Sequence, residues 1–318
     1  MSKGIFIPST VSPQAAKFLT TMPVKWSALP SPNDLVAWKK YQDIIDSFTR
    51  KRQQKVLDRL QPNIKKITLN HIPCYEVYPK DYHPSKHLLI YIHGGGYSLC
   101  HANVMLDAAA LIAEKTRYKV ISIDYTLAPF AKHPQILDEV LKVYSALENQ
   151  GIDFSQVGLY GDSAGGSLAC ASILKRRDLG LALPKVVALW SPWTDVTQVG
   201  DSFTTLKDAE PCFTYEKHLK PSALAYTTED KFTHPYVSPV YGDYSQAFPP
   251  TLIQGGTKEC LLSCFVRLYQ ALDNGEKEVK LDLYEGMVHI FQIQSPQIPE
   301  AQRAINKTAT FLKVHMKG

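Results

Sequence analysis

From about residue 65 onward the chain alternates between short apolar runs and longer segments with apolar residues at helical spacing. The short runs, at 66–70, 74–78, 88–93, 120–124, 157–160, 186–190, 251–254 and 279–284, predict eight strands. The middle ones are almost unbroken in Val, Ile and Leu, as a strand covered on both faces requires. The longer segments, at 103–117, 135–149, 165–177, 261–274 and 298–315, predict the helices between and after them. Gly151, Gly180 and Gly275 stand where helix C-termini would fall. Strand–helix alternation of this kind predicts an α/β protein with a mostly parallel eight-stranded sheet flanked by helices on both faces. The first two runs, joined by His71-Ile72-Pro73, read as an antiparallel hairpin leading into the sheet.

Two stretches break the rhythm. Residues 1–60 are proline-rich at first, then offer one amphipathic helix from about Asp34 to Leu60. Trp38, Tyr41, Ile45, Phe48, Val56 and Leu57 mark its apolar face, and Asn33 or Asp34 after Pro32 marks its start. Residues 195–250 carry many aromatics and several prolines and are long enough for an insertion between two strands. The expected organisation is an N-terminal cap segment over 1–60 and a catalytic domain over 61–318. Residues 195–250 would be a second cap piece, the two together lying over the sheet's C-terminal edge. Trp26, Trp38, Phe203, Phe213 and Tyr226 are aromatics of these pieces, each a candidate for core or for pocket wall.

The composition suits one large core: 318 residues, 45% hydrophobic and 20% charged. A formal net charge of +5 comes from dispersed lysines and arginines, with no basic stripe interleaved with aromatics, so nucleic acid is not an expected partner. No apolar run approaches the length of a membrane span, and the first ten residues lack a signal-like core, so a cytoplasmic protein without a transmembrane segment is expected. The six cysteines form no Cys-x-x-Cys pair with histidine neighbours, so neither a zinc site nor another metal is expected.

Chemistry enters at Gly161-Asp162-Ser163-Ala164-Gly165, which follows a predicted strand and precedes a predicted helix. A serine on such a sharp turn is lifted clear of the sheet, at the positive end of the helix behind it. Alone, the pattern arises by chance in about one chain in ten of this length, so its surroundings decide. Upstream, directly after the run at 88–93, stands His93-Gly94-Gly95-Gly96-Tyr97. Its glycines can present bare backbone N–H groups to a developing oxyanion, together with the N–H of Ala164. Downstream, His289 follows the last predicted strand, where it can reach over the sheet edge to serve Ser163 as a base. Glu259 is the one carboxylate of the loop after the preceding strand, placed to hold the His289 ring; Asp282, inside a strand-like run, is the second choice. His93 reads as a brace for its own loop.

These segments, with Asp124-Tyr125-x-Leu127-Ala128-Pro129, Ser191-Pro192-Trp193-x-Asp195 and Gly286-Met287-x-His289-x-Phe291, resemble the hormone-sensitive-lipase-like branch of the α/β-hydrolases, which includes arylacetamide deacetylase-like and steryl acetyl hydrolase-like enzymes. The resemblance covers residues 88 to 291. It implies the α/β-hydrolase fold with a helical cap, Ser163 as nucleophile, His289 as base and an oxyanion hole of Gly95, Gly96 and Ala164, with Gly94 a lesser donor. Many members carry Asp where this chain has Glu259. The resemblance further implies a serine carboxylesterase acting on a small hydrophobic ester with a short acyl chain, without a cofactor. Tyr97, Trp193 and Trp38 are candidates for its substrate pocket. Lactone or amide hydrolysis by the same triad is the alternative, and a ligand-binding receptor on the hydrolase fold a further one, although such receptors lose the base that this chain keeps. The oligomeric state stays open, a homodimer included.

Overall fold

The computed structural model describes residues 6–22 and 27–317; Trp26 lies outside them. Eight strands form one sheet: β1 (Asn63–Leu69), β2 (Ile72–Tyr78), β3 (Leu88–Ile92), β4 (Lys119–Ile123), β5 (Val157–Asp162), β6 (Val186–Trp190), β7 (Thr251–Gly256) and β8 (Val279–Tyr284). Their order is β1-β2-β4-β3-β5-β6-β7-β8. β2 runs antiparallel to both β1 and β4, and every other pairing is parallel. The hairpin between β1 and β2 is tighter than the sequence suggests. Leu69 pairs with Ile72, and the two residues between them, Asn70 and His71, both take left-handed backbone (φ 45° and 67°). That is the two-residue turn whose twist matches the strands. β1 also begins earlier than expected, because it is an edge strand in which exposed residues such as Lys65 and Lys66 interrupt the apolar pattern.

The helices are α1 (Pro13–Thr20), α2 (Leu35–Leu60), α3 (Leu106–Thr116), α4 (Gln135–Asn149), α5 (Ser163–Asp178), α6 (Ser202–Thr205), α7 (Lys220–Tyr226), α8 (Leu262–Asn274), α9 (Phe291–Gln294) and α10 (Pro299–Lys317). Side chains alternate across each strand, so β3 sends Leu88, Ile90 and Ile92 to one core and Leu89 and Tyr91 to the other. α4, α5 and α8 cover the first core, while α3 and α10 cover the second. Gly151 and Gly180 turn the chain out of their helices with positive φ, as expected. Gly275 does not: its φ is −80°, and Glu276 beside it takes the left-handed conformation. Glycine is required there for room, since a Cβ would stand 2.2 Å from the Tyr244 carbonyl oxygen. No helix among the described residues is long and apolar enough to cross a membrane.

This topology fixes where a site can form. Connections from β3 and β5 leave in opposite directions, β3 to β4 and β5 to β6, which opens a crevice at the C-terminal ends of these two central strands. The loops after β3, β5, β6, β7 and β8 all emerge at that edge because these strands are parallel.

α2 lies across one end of the crevice. Asp34 caps it, its carboxylate accepting from the Ala37 N–H at 2.9 Å. Trp38, Ile45 and Val56 face inward as the spacing predicts, but three polar residues share that buried stripe: Gln42, Thr49 and Gln53. Gln42 donates to the carbonyls of Ser98 (2.9 Å) and Ala128 (3.2 Å). Gln53 donates to the Asn103 carbonyl (2.7 Å) and accepts from the Leu106 N–H (2.9 Å). These glutamines do for the loop after β3 what a strand would do, pairing backbone groups that are cut off from water. Phe48, read from the spacing as part of the buried face, is instead 66% exposed. Replacing Gln53 by Met keeps its bulk and strands a buried N–H and a carbonyl. The expected cost is about 1–3 kcal/mol, seen as a lower urea midpoint at unchanged m.

Candidate active site

Ser163 opens α5 directly after β5 and carries left-handed backbone, φ 52°. The conformation is strained for a residue with a side chain and holds only because its surroundings leave no alternative. The glycine two residues on is required by contact: a Cβ on Gly165 would lie 2.1 Å from the Ile92 carbonyl oxygen and 2.4 Å from that of His93. The first turn of α5 is thus pressed onto the end of β3, which brings the serine beside the glycine loop. The Ser163 carbonyl accepts from the Trp193 N–H at 3.0 Å, tying the turn to the loop after β6.

The glycine loop is held from both sides. Asp162 Oδ1 accepts from the Tyr91 hydroxyl (2.5 Å) and the Gly94 N–H (3.0 Å). The Gly94 N–H is therefore taken up within the protein. Gly95 and Gly96 both have positive φ (103° and 61°) and line the cavity below. Among the described residues no backbone acceptor takes either N–H. Ala164 lies in the first turn of α5, where N–H groups have no partner within the helix. His93 is buried, its Nδ1 2.9 Å from the Gly94 carbonyl and its ring stacked on Tyr125 at 4.2 Å. Burial lowers its pKa to about 4, so the ring is neutral and acts as a brace.

His289 and Glu259 meet at the ends of β8 and β7. Their loops are stitched together by the Lys258 N–H on the Met287 carbonyl (3.1 Å) and the Gly286 N–H on Thr257 Oγ1 (2.9 Å). Glu259 Oε2 lies 2.7 Å from His289 Nδ1. A carboxylate there fixes Nδ1 as the protonated nitrogen and leaves Nε2 as the acceptor. The other oxygen, Oε1, accepts from the Gly256 N–H (2.6 Å) and from Ser191 Oγ (2.7 Å). Asp282, the second choice, is turned away and binds Lys307 and Gln254.

Three further residues shape this arrangement: Ser191 and Glu210, to which the sequence assigned no role, and Phe213, a candidate there for core or pocket wall. Ser191 takes left-handed backbone (φ 47°) just after β6, and its hydroxyl also accepts from the Ile290 N–H at 3.0 Å, joining β6 to both partners. A lone serine beside Pro192 carries no sequence signal for that task. Phe213 sets its ring edge-on to His289, centroids 4.9 Å apart. Glu210 is fully buried, accepting from the N–H groups of Cys212 (2.9 Å) and Cys260 (3.4 Å). Burial, with the charge of Glu259 nearby, pushes its pKa up to about 7 despite the opposing effect of His289 and those two donors. For His289 burial opposes the charged ring, but the hydrogen bond and charge of Glu259, reinforced by Glu210 and Asp162, outweigh it and raise the pKa above the ordinary imidazole value.

Ser163, His289, Gly95 and Gly96 open together onto one cavity of about 370 Å³. Its remaining lining is largely apolar and includes Phe48, Met105, Trp193, Phe213 and Leu219, with Cys100 and Cys212 also reaching it. Of the three pocket candidates, Trp193 is on the wall. Tyr97 stands behind it, stacked on Tyr226 at 3.9 Å and tilted against Trp193 at 5.6 Å. Trp38 is in the core, its indole N–H on the Ser31 carbonyl at 2.9 Å.

Known proteins resemble this chain in sequence and in fold. Residues 89–293 match the family described as alpha/beta hydrolase fold. An esterase of Acinetobacter venetianus is 33% identical over 225 residues, 70% of this chain and 74% of its own length. An acetyl-hydrolase of Streptomyces hygroscopicus is 32% identical, over 71% of this chain and 75% of its own. Among solved structures, esterase E25 superimposes with a TM-score of 0.90 at 25% identity, over 99% of this chain and 97% of its own. An esterase from the bacterial hormone-sensitive lipase family does so at 0.78 and 27% identity, over 87% and 98%. The eight-stranded sheet, the matched residues and these relatives together show that the chain belongs to the α/β-hydrolase family, in its hormone-sensitive-lipase-like, esterase-type branch.

Proposed function

We propose that the protein is a serine carboxylesterase working through Ser163, His289 and Glu259. The observation that carries the reading is the His289–Glu259 hydrogen bond of 2.7 Å on the wall of a cavity that also presents Ser163 and two free glycine N–H groups. His289 Nε2 takes the proton of Ser163 as Oγ attacks the ester carbonyl. The N–H groups of Gly95, Gly96 and Ala164 receive the oxyanion. The alcohol then leaves with the proton from His289, and water hydrolyses the acyl-enzyme by the same steps. Glu259 keeps the imidazole in its productive tautomer and stabilises the imidazolium.

In this reading residues 1–60 and 195–250 cap the site, since α2 supplies Phe48, Thr49 and Arg52 to the cavity and the segment between β6 and β7 supplies Phe213, Leu219 and Ser222. The mainly apolar lining supports a hydrophobic ester. A short acyl chain is supported by the acetyl-hydrolases among the relatives and by a structural neighbour, EstE5, soaked with p-nitrophenyl butyrate, at a TM-score of 0.78.

Ser163→Ala is expected to lower hydrolysis of p-nitrophenyl butyrate by at least about 10⁴-fold and to abolish labelling by a fluorophosphonate. Near-normal turnover by this variant would refute the assignment, and a p-nitrophenyl ester series from acetate to decanoate tests the preference for short acyl chains.

The pH profile tests the charges around the ring. Because His289 has a raised pKa, it holds its proton to higher pH, so the base form is lost early on acidification. The acid limb of kcat/KM is expected above the ordinary histidine value of about 6.5. Glu210→Gln removes one of the charges that raise it and is expected to move that limb to lower pH.

Ser191→Ala deprives Glu259 of a donor and leaves the Ile290 N–H unpaired. A fall in kcat of about tenfold or more at little changed KM is expected, from a lost hydrogen bond to a charged group. Steady-state kinetics over a range of substrate concentrations, which separate kcat from KM, provide the check.

A further inference from the structure

The cavity is largely apolar, and of the polar residues on its wall that the proposed mechanism does not use, Thr49, Arg52, His218, Ser222 and Gln294, the arginine alone carries a permanent charge. Arg52, on the inner side of α2, lines it together with Ser163. Its Nε lies 3.2 Å from Asp107 Oδ2 and its Nη2 3.4 Å from the sulfur of Met105. A guanidinium has five N–H groups, and among the described residues no acceptor meets Nη1. Asp107, by contrast, is fully buried and has both oxygens occupied, the second by the Ala108 N–H at 3.0 Å. The pair is thus electrically compensated, yet the arginine, which lines the cavity, keeps N–H groups that no acceptor among the described residues takes.

That arginine belongs to one side of the reaction centre. Gly95 approaches Cys100, whose sulfur lies 3.8 Å from Thr49 Oγ1, one helical turn from Arg52. Gly96 approaches Ser222 on the opposite, α7 side. A purely alkyl group entering the Arg52 side would strip water from these N–H groups and return nothing, whereas an oxygen acceptor would replace it. The acceptor should be uncharged. Asp107 already neutralises Arg52, and Glu210, Glu259 and Asp162 make the surroundings of His289 negative.

We propose, building on the esterase reading, that Arg52 is a specificity-determining residue that receives an uncharged carbonyl or hydroxyl oxygen on the substrate, remote from the scissile ester. The substrate class is then an ester with a second oxygen function, such as a keto ester or diester, in preference to a simple alkyl ester.

The test compares p-nitrophenyl esters whose acyl chain carries a keto group with their methylene isosteres, from pentanoate to heptanoate, and a matching series with the keto group in the alcohol part. A carboxylate-ended member is added to each series. Wild-type enzyme is expected to favour the keto ester over its isostere about ten- to hundredfold in kcat/KM in at least one position, and over the carboxylate member as well. In the double variant Arg52→Met with Asp107→Asn, which leaves no buried charge unpaired, that preference should vanish. Because the readout is a ratio measured on one preparation, partial misfolding cancels, and thermal unfolding of the variant checks its integrity. Absence of a keto preference in every position, a preference retained by the double variant, or preference for the carboxylate member would each overturn the proposal. Failure of wild-type enzyme to hydrolyse any of these esters would instead overturn the esterase reading beneath it.

Discussion

The clamp between the start of α5 and the end of β3 is the contact on which the candidate site depends. Gly165 admits the Ile92 and His93 carbonyls at a distance that no Cβ would allow. On the other side of the same junction, Gly94 leaves room for the Asp162 carboxylate, which takes the Gly94 N–H and the Tyr91 hydroxyl. The serine turn and the glycine loop are therefore one rigid unit, although they are some seventy residues apart in the chain. Their mutual placement does not rely on side chains of α2 or of the segment between β6 and β7, and of the three glycine N–H groups it consumes only that of Gly94 among the described residues. Preorganised donors of this kind need not reorient as charge develops, the condition under which they contribute most.

The second constraint is electrostatic. Three carboxyl groups, Asp162, Glu210 and Glu259, lie buried around one imidazole. Burial of a carboxylate costs free energy unless donors replace its water, and the three differ in their supply. Glu259 has a backbone N–H, a serine hydroxyl and the His289 ring. Asp162 has a phenol and a backbone N–H on one oxygen. Glu210 has two backbone N–H groups, one of them at 3.4 Å, and titrates at about 7. The group best supplied with donors is the one in direct contact with His289, and the pKa of Glu210, with one of its two donors at 3.4 Å, is pushed up by burial. Glu210 also joins the segment that carries Phe213 to the segment that carries Glu259, so its protonation state bears both on His289 and on the aromatic ring set edge-on against it.

The elements legible in the sequence were those whose hydrophobic pattern is set by burial on a simple surface. The central strands could be placed because runs such as Leu88–Ile92 and Val186–Trp190 are buried throughout, and the outer strands, such as β1 and β8, from the partial apolar pattern left by their exposed residues. Ser163, Glu259 and His289 could be singled out because each follows a strand of known direction. What escaped was held by tertiary contacts. α1 is one example: its signal was Ser12 before Pro13, a cap followed by a residue suited to the first helical turn, but its anchorage is Glu300, which takes the Ser12 N–H and hydroxyl from the far end of the chain. The segment between β6 and β7 is another. α6, a single π-helical turn over Tyr215–Leu219, and α7 are too short to show periodicity. Ser191 and Asp162 escaped because their roles depend on distant backbone groups that no local pattern reports.

α2 shows why the cap is harder to read than the sheet. A sheet-facing helix needs one apolar stripe, and periodicity finds it. α2 instead faces loops, whose backbone groups must be paired, so its buried stripe mixes Trp38, Ile45 and Val56 with Gln42, Thr49 and Gln53. The same logic turns Phe48 outward: the residues beneath that part of the helix form a cavity, and an aromatic side chain at its mouth has no core to enter. Arg52 follows one turn later, half-buried and on the wall of the cavity. A spacing rule that sorts residues into apolar and polar faces places Phe48 wrongly, because it presumes a core where the structure has an opening. Deviations from the expected stripe in this helix therefore carry information about the ligand: the positions where burial does not explain the residue are those that the cavity must explain.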